Sequence, residues 1–262
     1  MRLPVGYDLV SVVSVGATAS VALARTAEGV DCAVKVAHEA RGVPAIGREV
    51  SALRALESAE VFGVPRVVAF WETGFAMTRI EGVPLEALGE RLASDGELRR
   101  RVAGAAIARL AEVHGARDGG GPLEMIHGDV SPANLHVGAG EVVLADFGLA
   151  SWRGAPPAHD GVFRGTLLYA APEVARGEPF DAAADRFALA ASLLNVASGV
   201  PLRFATSSPA VILVEAGTHP LDASHPWRTL APKLFDPELA AWLLGTLAFD
   251  PRERPQGPPG AC

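Results

Sequence analysis

A chain of 262 residues, 49% hydrophobic and 20% charged, can bury a sizeable core and is not composed like a disordered tail. Its formal charge of −7 argues against a basic face for nucleic acid. Its two cysteines, Cys32 in an apolar strand-like run and Cys262 at the last position, make neither a disulfide framework nor a metal cluster and point to a reducing interior.

The opening M-R-L-P-V-G-Y-D lacks the long apolar core of a signal peptide. The longest apolar run, Phe187–Val200, carries Asn195 and falls short of the roughly 18 residues of a membrane span, so it reads as a buried helix. The expectation is a soluble, cytoplasmic protein with no membrane partner. Lysine occurs only at Lys35 and Lys233, against 21 arginines, so each lysine stands out.

In chain order, Tyr7–Val13, Ser20–Thr26 and Val30–Ala37 are short, Val-rich and separated by Gly-containing turns, which predicts an antiparallel meander. Between Pro44 and Ser58, Ile46, Val50, Leu53 and Leu56 are spaced for one face of a helix. Strands Arg66–Trp71 and Gly74–Ile80 follow, with Glu72-Thr73-Gly74 as their turn. After Gly82 the pattern turns helical, over Leu85–Leu92 and Leu98–His114. Gly119–Pro122 reads as a loop, Leu135–Val137 and Glu141–Ala145 as a strand pair, and helices run to a frayed Gly257–Gly260 tail. The predicted class is α+β and bilobal. Residues 1–82 form a small lobe with a five-stranded sheet and one helix, and residues 83–262 a larger helical lobe.

Six separated motifs carry the chemistry. C-A-V-K ends the third strand at Lys35, and S-V-G-A-T-A-S-V surrounds Gly16. The loop M-I-H-G-D-V-S-P-A-N-L-H-V holds His127, Asp129 and Asn134, and the strand V-V-L-A runs into Asp146-Phe147-Gly148. G-T-L-L-Y-A-A-P-E spans Gly165–Glu173, and D-P-R-E-R-P spans Asp250–Pro255. Any one of these is an ordinary turn or strand end, because Gly, Asp, Ser, Pro and Asn favour turns for local reasons.

In this order and spacing they resemble the eukaryotic-like, bacterial Hanks-type Ser/Thr protein kinases over nearly the whole chain. The resemblance implies an Mg-ATP-dependent phosphotransferase acting on a protein hydroxyl. Phosphoryl transfer needs positioning and charge neutralisation more than covalent participation by the protein. By resemblance Asp129 orients the attacking hydroxyl and accepts its proton, while Asn134 and Asp146 hold Mg²⁺. Lys35 takes the α- and β-phosphates and is fixed by Glu49, with Glu57 as the competing helix carboxylate. Val13, Gly16, Val21 and Ala33 line the nucleotide pocket. Glu173 and Arg254 match a buried ion pair, Asp185 a holder of the catalytic-loop backbone, and His127 and Phe147 stacked spine residues. Thr166 matches the threonine of the Ser/Thr branch.

Departures qualify the match. Ser14 and Ala19 replace two glycines of the phosphate loop, leaving Gly16. Gly128 stands where an arginine usually answers an activation-loop phosphate, so activity without such phosphorylation is expected. Ser131 replaces a lysine near the transferred phosphate, and His136 sits where an apolar residue is usual beneath the adenine. Two other readings stay open: a small-molecule kinase of the same fold, since H-G-D-x-x-x-x-N also occurs in antibiotic and sugar phosphotransferases, and a nucleotide-binding scaffold without activity. The sequence leaves substrate and oligomeric state open, as it does the order of Ser151–Arg164.

Overall fold

The computed structural model describes residues 3–139, 141–155, 165–203, 208–218 and 221–257. Cys262, most of the Gly257–Gly260 tail and positions 156–164 of the Ser151–Arg164 segment lie outside these residues.

Alternation of small and branched side chains produces five strands: β1 (Tyr7–Val15), β2 (Ala19–Thr26), β3 (Asp31–Ala37), β4 (Val67–Trp71) and β5 (Gly74–Thr78). They form one antiparallel sheet in the order β1-β2-β3-β5-β4. β3 is therefore central, and Lys35 pairs with Val21 on one side and Phe75 on the other. Helix α1 (Val43–Ser58) packs on the sheet through Ile46, Val50, Leu53 and Leu56, the period expected for one buried face. Glu49 lies on that same buried face.

The rest of the chain is mainly helical. A three-stranded sheet, order β10-β9-β6, joins β6 (Val83–Pro84) to β9 (Leu135–Val137) and β10 (Val142–Leu144). Helices α2 (Gly89–Ser94) and α3 (Gly96–His114) precede a minimal pair, β7 (Arg117–Asp118) and β8 (Gly121–Pro122). Then come α4 (Pro172–Ala175), α5 (Ala182–Ser198), α6 (Pro209–Thr218), α7 (Trp227–Leu234) and α8 (Pro237–Thr246). α5 is apolar nearly all round because α2, α3, α7 and α8 pack against it. Asp181 caps its start by accepting from the Ala183 amide, and Gly199 ends it in the left-handed region. An antiparallel sheet followed by a helical part is the α+β, bilobal arrangement.

Element edges differ from the sequence reading for local reasons. The expected helix Leu85–Leu92 is a 3₁₀ turn over Leu85–Leu88 followed by α2. α3 starts two residues before the expected Leu98 because Asp95 caps it, accepting from the Leu98 amide. β5 ends at Thr78, whose hydroxyl accepts from the Arg66 amide, and not at Ile80. The predicted loop Gly119–Pro122 contains β8, a two-residue strand too short to leave a period.

Candidate active site

Lys35 is the hub of the site. Its Nζ lies 2.8 Å from Glu49 Oε2 of α1 and 2.8 Å from Asp146 Oδ1, just past β10. The lysine side chain is 12% exposed and the Glu49 side chain 2%, so each charge depends on its partner for solvation. Burial disfavours the ammonium, but the carboxylates of Glu49 and Asp146 outweigh it and raise the Lys35 pKa. Burial pushes the Glu49 carboxyl up to about 7, against the pull of Lys35. For Asp146, burial would raise the carboxyl, yet the Lys35 ammonium leads a set of contacts that lower it. Glu57, the other helix candidate, is exposed.

The loop between β8 and β9 supplies the other polar groups. Asn134 Nδ2 donates to the Asp129 carbonyl at 2.9 Å and to Asp129 Oδ2 at 3.3 Å. Both partners are acceptors, which fixes the amide orientation and turns Asn134 Oδ1 the other way. Asp129 Oδ1 accepts the Thr166 amide at 2.8 Å, so the carboxylate is held from two elements. Gly165 permits this approach: its φ is +108°, and a Cβ there would stand 3.3 Å from Asp129 Oδ1. The Asn134 carbonyl accepts the Ala145 amide at 2.9 Å, tying the Asn134 loop to the Asp146 turn. Asp146 itself sits at φ +64°, a left-handed pose that aspartate tolerates better than most residues.

Beneath these groups Asp185 of α5 receives the His127 amide at 2.7 Å, the Gly128 amide at 2.9 Å and His114 Nε2 at 2.9 Å. Burial would raise its carboxyl, but the His114 bond and the neighbouring donors outweigh it and lower it. His127 Nε2 lies 2.9 Å from the Ala145 carbonyl, and its Nδ1 accepts the Asp129 amide at 3.2 Å. A carbonyl only accepts and an amide only donates, so the ring is the neutral Nε2–H tautomer. It meets Phe147 edge-on, with centroids 4.6 Å apart.

The nucleotide-lining candidates stand along the sheet. Val21 is half-buried and pairs with Lys35, while Ala33 is buried two positions earlier on the same face of β3. Val13 falls at a bulge of β1 and is exposed, and Gly16 sits in the β1–β2 turn, where its amide donates to the Ala19 carbonyl. His136 is half-buried in β9 opposite Val143 and Pro84, and burial lowers its imidazole.

Residues 7–257 match the protein kinase domain family. The chain belongs to that family. Among curated proteins it is similar to the DNA damage-responsive serine/threonine-protein kinase RqkA of Deinococcus radiodurans, with 31% identity over 260 residues, 95% of this chain and 37% of RqkA. It is 29% identical over 218 residues to the serine/threonine-protein kinase PknB of Mycolicibacterium smegmatis, 78% of this chain and 33% of PknB. It is 37% identical over 139 residues to the tyrosine-protein kinase MasK of Myxococcus xanthus, 52% of this chain and 21% of MasK. This kinase-family chain thus spans between a fifth and two fifths of the length of these relatives. Among the described residues no helix is long and apolar enough to cross a membrane.

Some contacts of this kinase-family chain escaped the sequence reading. The Thr166 amide on Asp129 is a backbone contact, and backbone donors carry no residue signature. Arg48 on α1 donates to the Ala150 carbonyl at 3.2 Å, linking the Glu49 helix to the segment after Gly148. Its place beside Glu49 was the available hint. Arg203 donates to the Leu167 and Leu168 carbonyls and stands 6.0 Å from the Phe187 ring, stiffening the turn after Thr166.

Proposed function

We propose that this chain is an ATP- and Mg²⁺-dependent protein kinase domain that transfers the γ-phosphate to serine or threonine hydroxyls. The observation that carries the reading is Lys35 held at 2.8 Å by both Glu49 and Asp146, across the gap from an Asp129–Asn134 pair fixed by hydrogen bonds. The donor set fits the group it would hold. Asp146 is about half exposed, at 47%, and Asn134 presents an amide oxygen, the hard donors Mg²⁺ takes alongside phosphate oxygens and water. Bound Mg²⁺ would neutralise phosphate charge as the bond to the leaving group breaks.

In this reading Lys35 supplies the phosphate-facing cation, and Glu49 keeps it aimed. Asp129 receives the proton of the substrate hydroxyl, and the Thr166 amide and Asn134 keep its carboxylate in one orientation. Val13, Gly16, Val21 and Ala33 form the nucleotide wall. Asp185 and the His127–Phe147 contact stiffen the floor, so the reacting groups need little rearrangement. A protein substrate is favoured over a small molecule by the G-T-L-L-Y-A-A-P-E segment and its anchor, the Glu173–Arg254 pair. A cytoplasmic location, where Mg-ATP is abundant, accompanies the proposal.

The test is purified protein incubated with γ-labelled ATP and Mg²⁺, offering a generic protein substrate, a panel of small hydroxyl compounds, or the protein alone. Label on protein serine or threonine is the expected outcome. Label confined to a small molecule would move the assignment to that class, and nucleotide binding without transfer would make the chain a scaffold.

A further inference from the structure

The phosphate loop lacks two of its three usual glycines, and the structure surrounds it with contacts that those glycines do not explain. The Thr18 carbonyl accepts the His38 amide at 2.9 Å. The Ser20 hydroxyl, in a residue only 6% exposed, is hydrogen-bonded to Nε2 of the same His38 at 2.7 Å. One residue at the end of β3 therefore grips the loop twice, once through its backbone and once through its ring. The β2–β3 ladder continues to the loop, pairing Ser20 with Val36 and Ala19 with Ala37.

A third contact comes from the 3₁₀ turn Ala40–Gly42 that leads into α1. A Cβ at Gly42 would stand 2.6 Å from the Thr18 carbonyl oxygen and 3.1 Å from Ala37 Cβ. Gly42 has φ −84°, a value open to any residue, so close approach to the loop is what calls for glycine there. Seven residues later the same helix carries Glu49, the partner of Lys35.

We propose that His38 is a positioning residue for the nucleotide: its paired bonds to Thr18 and Ser20, with the Gly42 contact, hold the phosphate loop in its binding pose and couple it to α1. This deepens the phosphotransferase reading and rests on it. A glycine-rich loop closes over phosphates by flexibility; here Ser14 and Ala19 restrict the backbone, and the staple supplies a pre-set geometry. Pre-setting raises the fraction of molecules ready to bind, and apparent affinity scales with that fraction.

Losing one net hydrogen bond of about 0.5–1.5 kcal/mol lowers the equilibrium constant for the set pose roughly two- to twelvefold, and the ready fraction by up to that factor. The variants His38→Ala and Ser20→Ala are therefore expected to raise KM for Mg-ATP, by up to about twelvefold, with kcat at saturating ATP changed less than twofold. Because both remove one bond, the double variant is expected to match the worse single one. His38→Gln, whose amide offers both a donor and an acceptor to the Ser20 hydroxyl, is expected to recover most of the affinity. Gly42→Ala, which presses on Thr18 from the other side, is expected to act in the same direction. Amide exchange over residues 14–20 should quicken in the alanine variants while exchange in α5 stays unchanged.

Unchanged KM and unchanged loop exchange in His38→Ala would overturn the proposal, as would additive effects of the two alanines or a fall in kcat alone. Binding of a fluorescent ADP analogue and the exchange measurement do not require turnover. If the wild type binds nucleotide yet transfers no phosphate, the kinase reading fails while these two measurements still decide the staple.

Discussion

Replacing Glu173 by alanine should unfold this chain far more readily than its position outside the reacting groups suggests. Glu173 receives Arg254 Nη1 at 2.6 Å and Nη2 at 2.8 Å, and the two side chains are 3% and 0% exposed. Arg254 also donates to the carbonyls of Ala248, Ala183 and Phe249 and stands 5.0 Å from the Phe187 ring. Glu173→Ala removes the only carboxylate hydrogen-bonded to Arg254 among the described residues and leaves its buried guanidinium with backbone carbonyls and the Phe187 ring. Breaking such a pair from one side costs about 3–5 kcal/mol. For a chain of this size each kcal/mol moves the midpoint by roughly 2–4 °C, so Tm should fall by about 6–20 °C. Urea unfolding followed by far-UV circular dichroism, with a thermal scan, reads both quantities. The double variant Glu173→Leu/Arg254→Met replaces the ions by apolar groups of similar length and should regain most of the loss. A single variant within about 1 kcal/mol of wild type, or a double variant as unstable as the single, would refute the reasoning.

Three further outcomes follow from the site. Asp129→Asn should keep the wild-type Tm within a few degrees but lower phosphate transfer about 10²–10⁴-fold, since it removes the proposed proton acceptor; Lys35→Met should also abolish transfer, and activity equal to wild type in either would contradict the proposed roles. Glu49, raised to about 7, should impose a fall in kcat/KM for ATP as the pH drops through that value, because protonation removes one of the two charges that aim Lys35. Stability should run the other way: a folded-state pKa above the ordinary 4.5 contributes stability that is full below 4.5 and lost as the pH rises through about 7. A pH–rate profile in Glu49→Gln that keeps the acid limb would exclude Glu49 as its source. Finally, phosphatase treatment should leave transfer intact. Gly128 replaces the arginine that would receive an activation-loop phosphate, and Ser151 is the only hydroxyl residue between Phe147 and Arg164. That serine is tied at 2.8 and 2.9 Å in a β-bridge to Ile126.

Much of this molecule is legible in its sequence where a side chain's type and its period agree. The spacing of Ile46, Val50, Leu53 and Leu56 fixes the buried face of α1, and Glu49 lies on that face beside Lys35 because a carboxylate in an apolar stripe needs a cation. Asp185 reads in the same way, a buried aspartate in a mostly apolar helix that meets backbone donors. Contacts made by the backbone leave no such mark. The Thr166 amide on Asp129, the Thr18 carbonyl on His38 and the two-residue strands β6 to β8 depend on how the chain is brought together, and many residue types would serve there. Gly42 shows the intermediate case: its glycine is visible, but the carbonyl it makes room for comes from a residue 24 positions earlier.

The most direct measurement is single-turnover transfer from γ-labelled ATP with Mg²⁺ to a protein acceptor, resolved into phosphoserine, phosphothreonine and phosphotyrosine, for the wild type beside Asp129→Asn. The expected result is label on serine or threonine in the wild type and at least a hundredfold less in the variant. Equal labelling by both proteins, or no labelling by a wild type that binds Mg-ATP, would contradict the assignment.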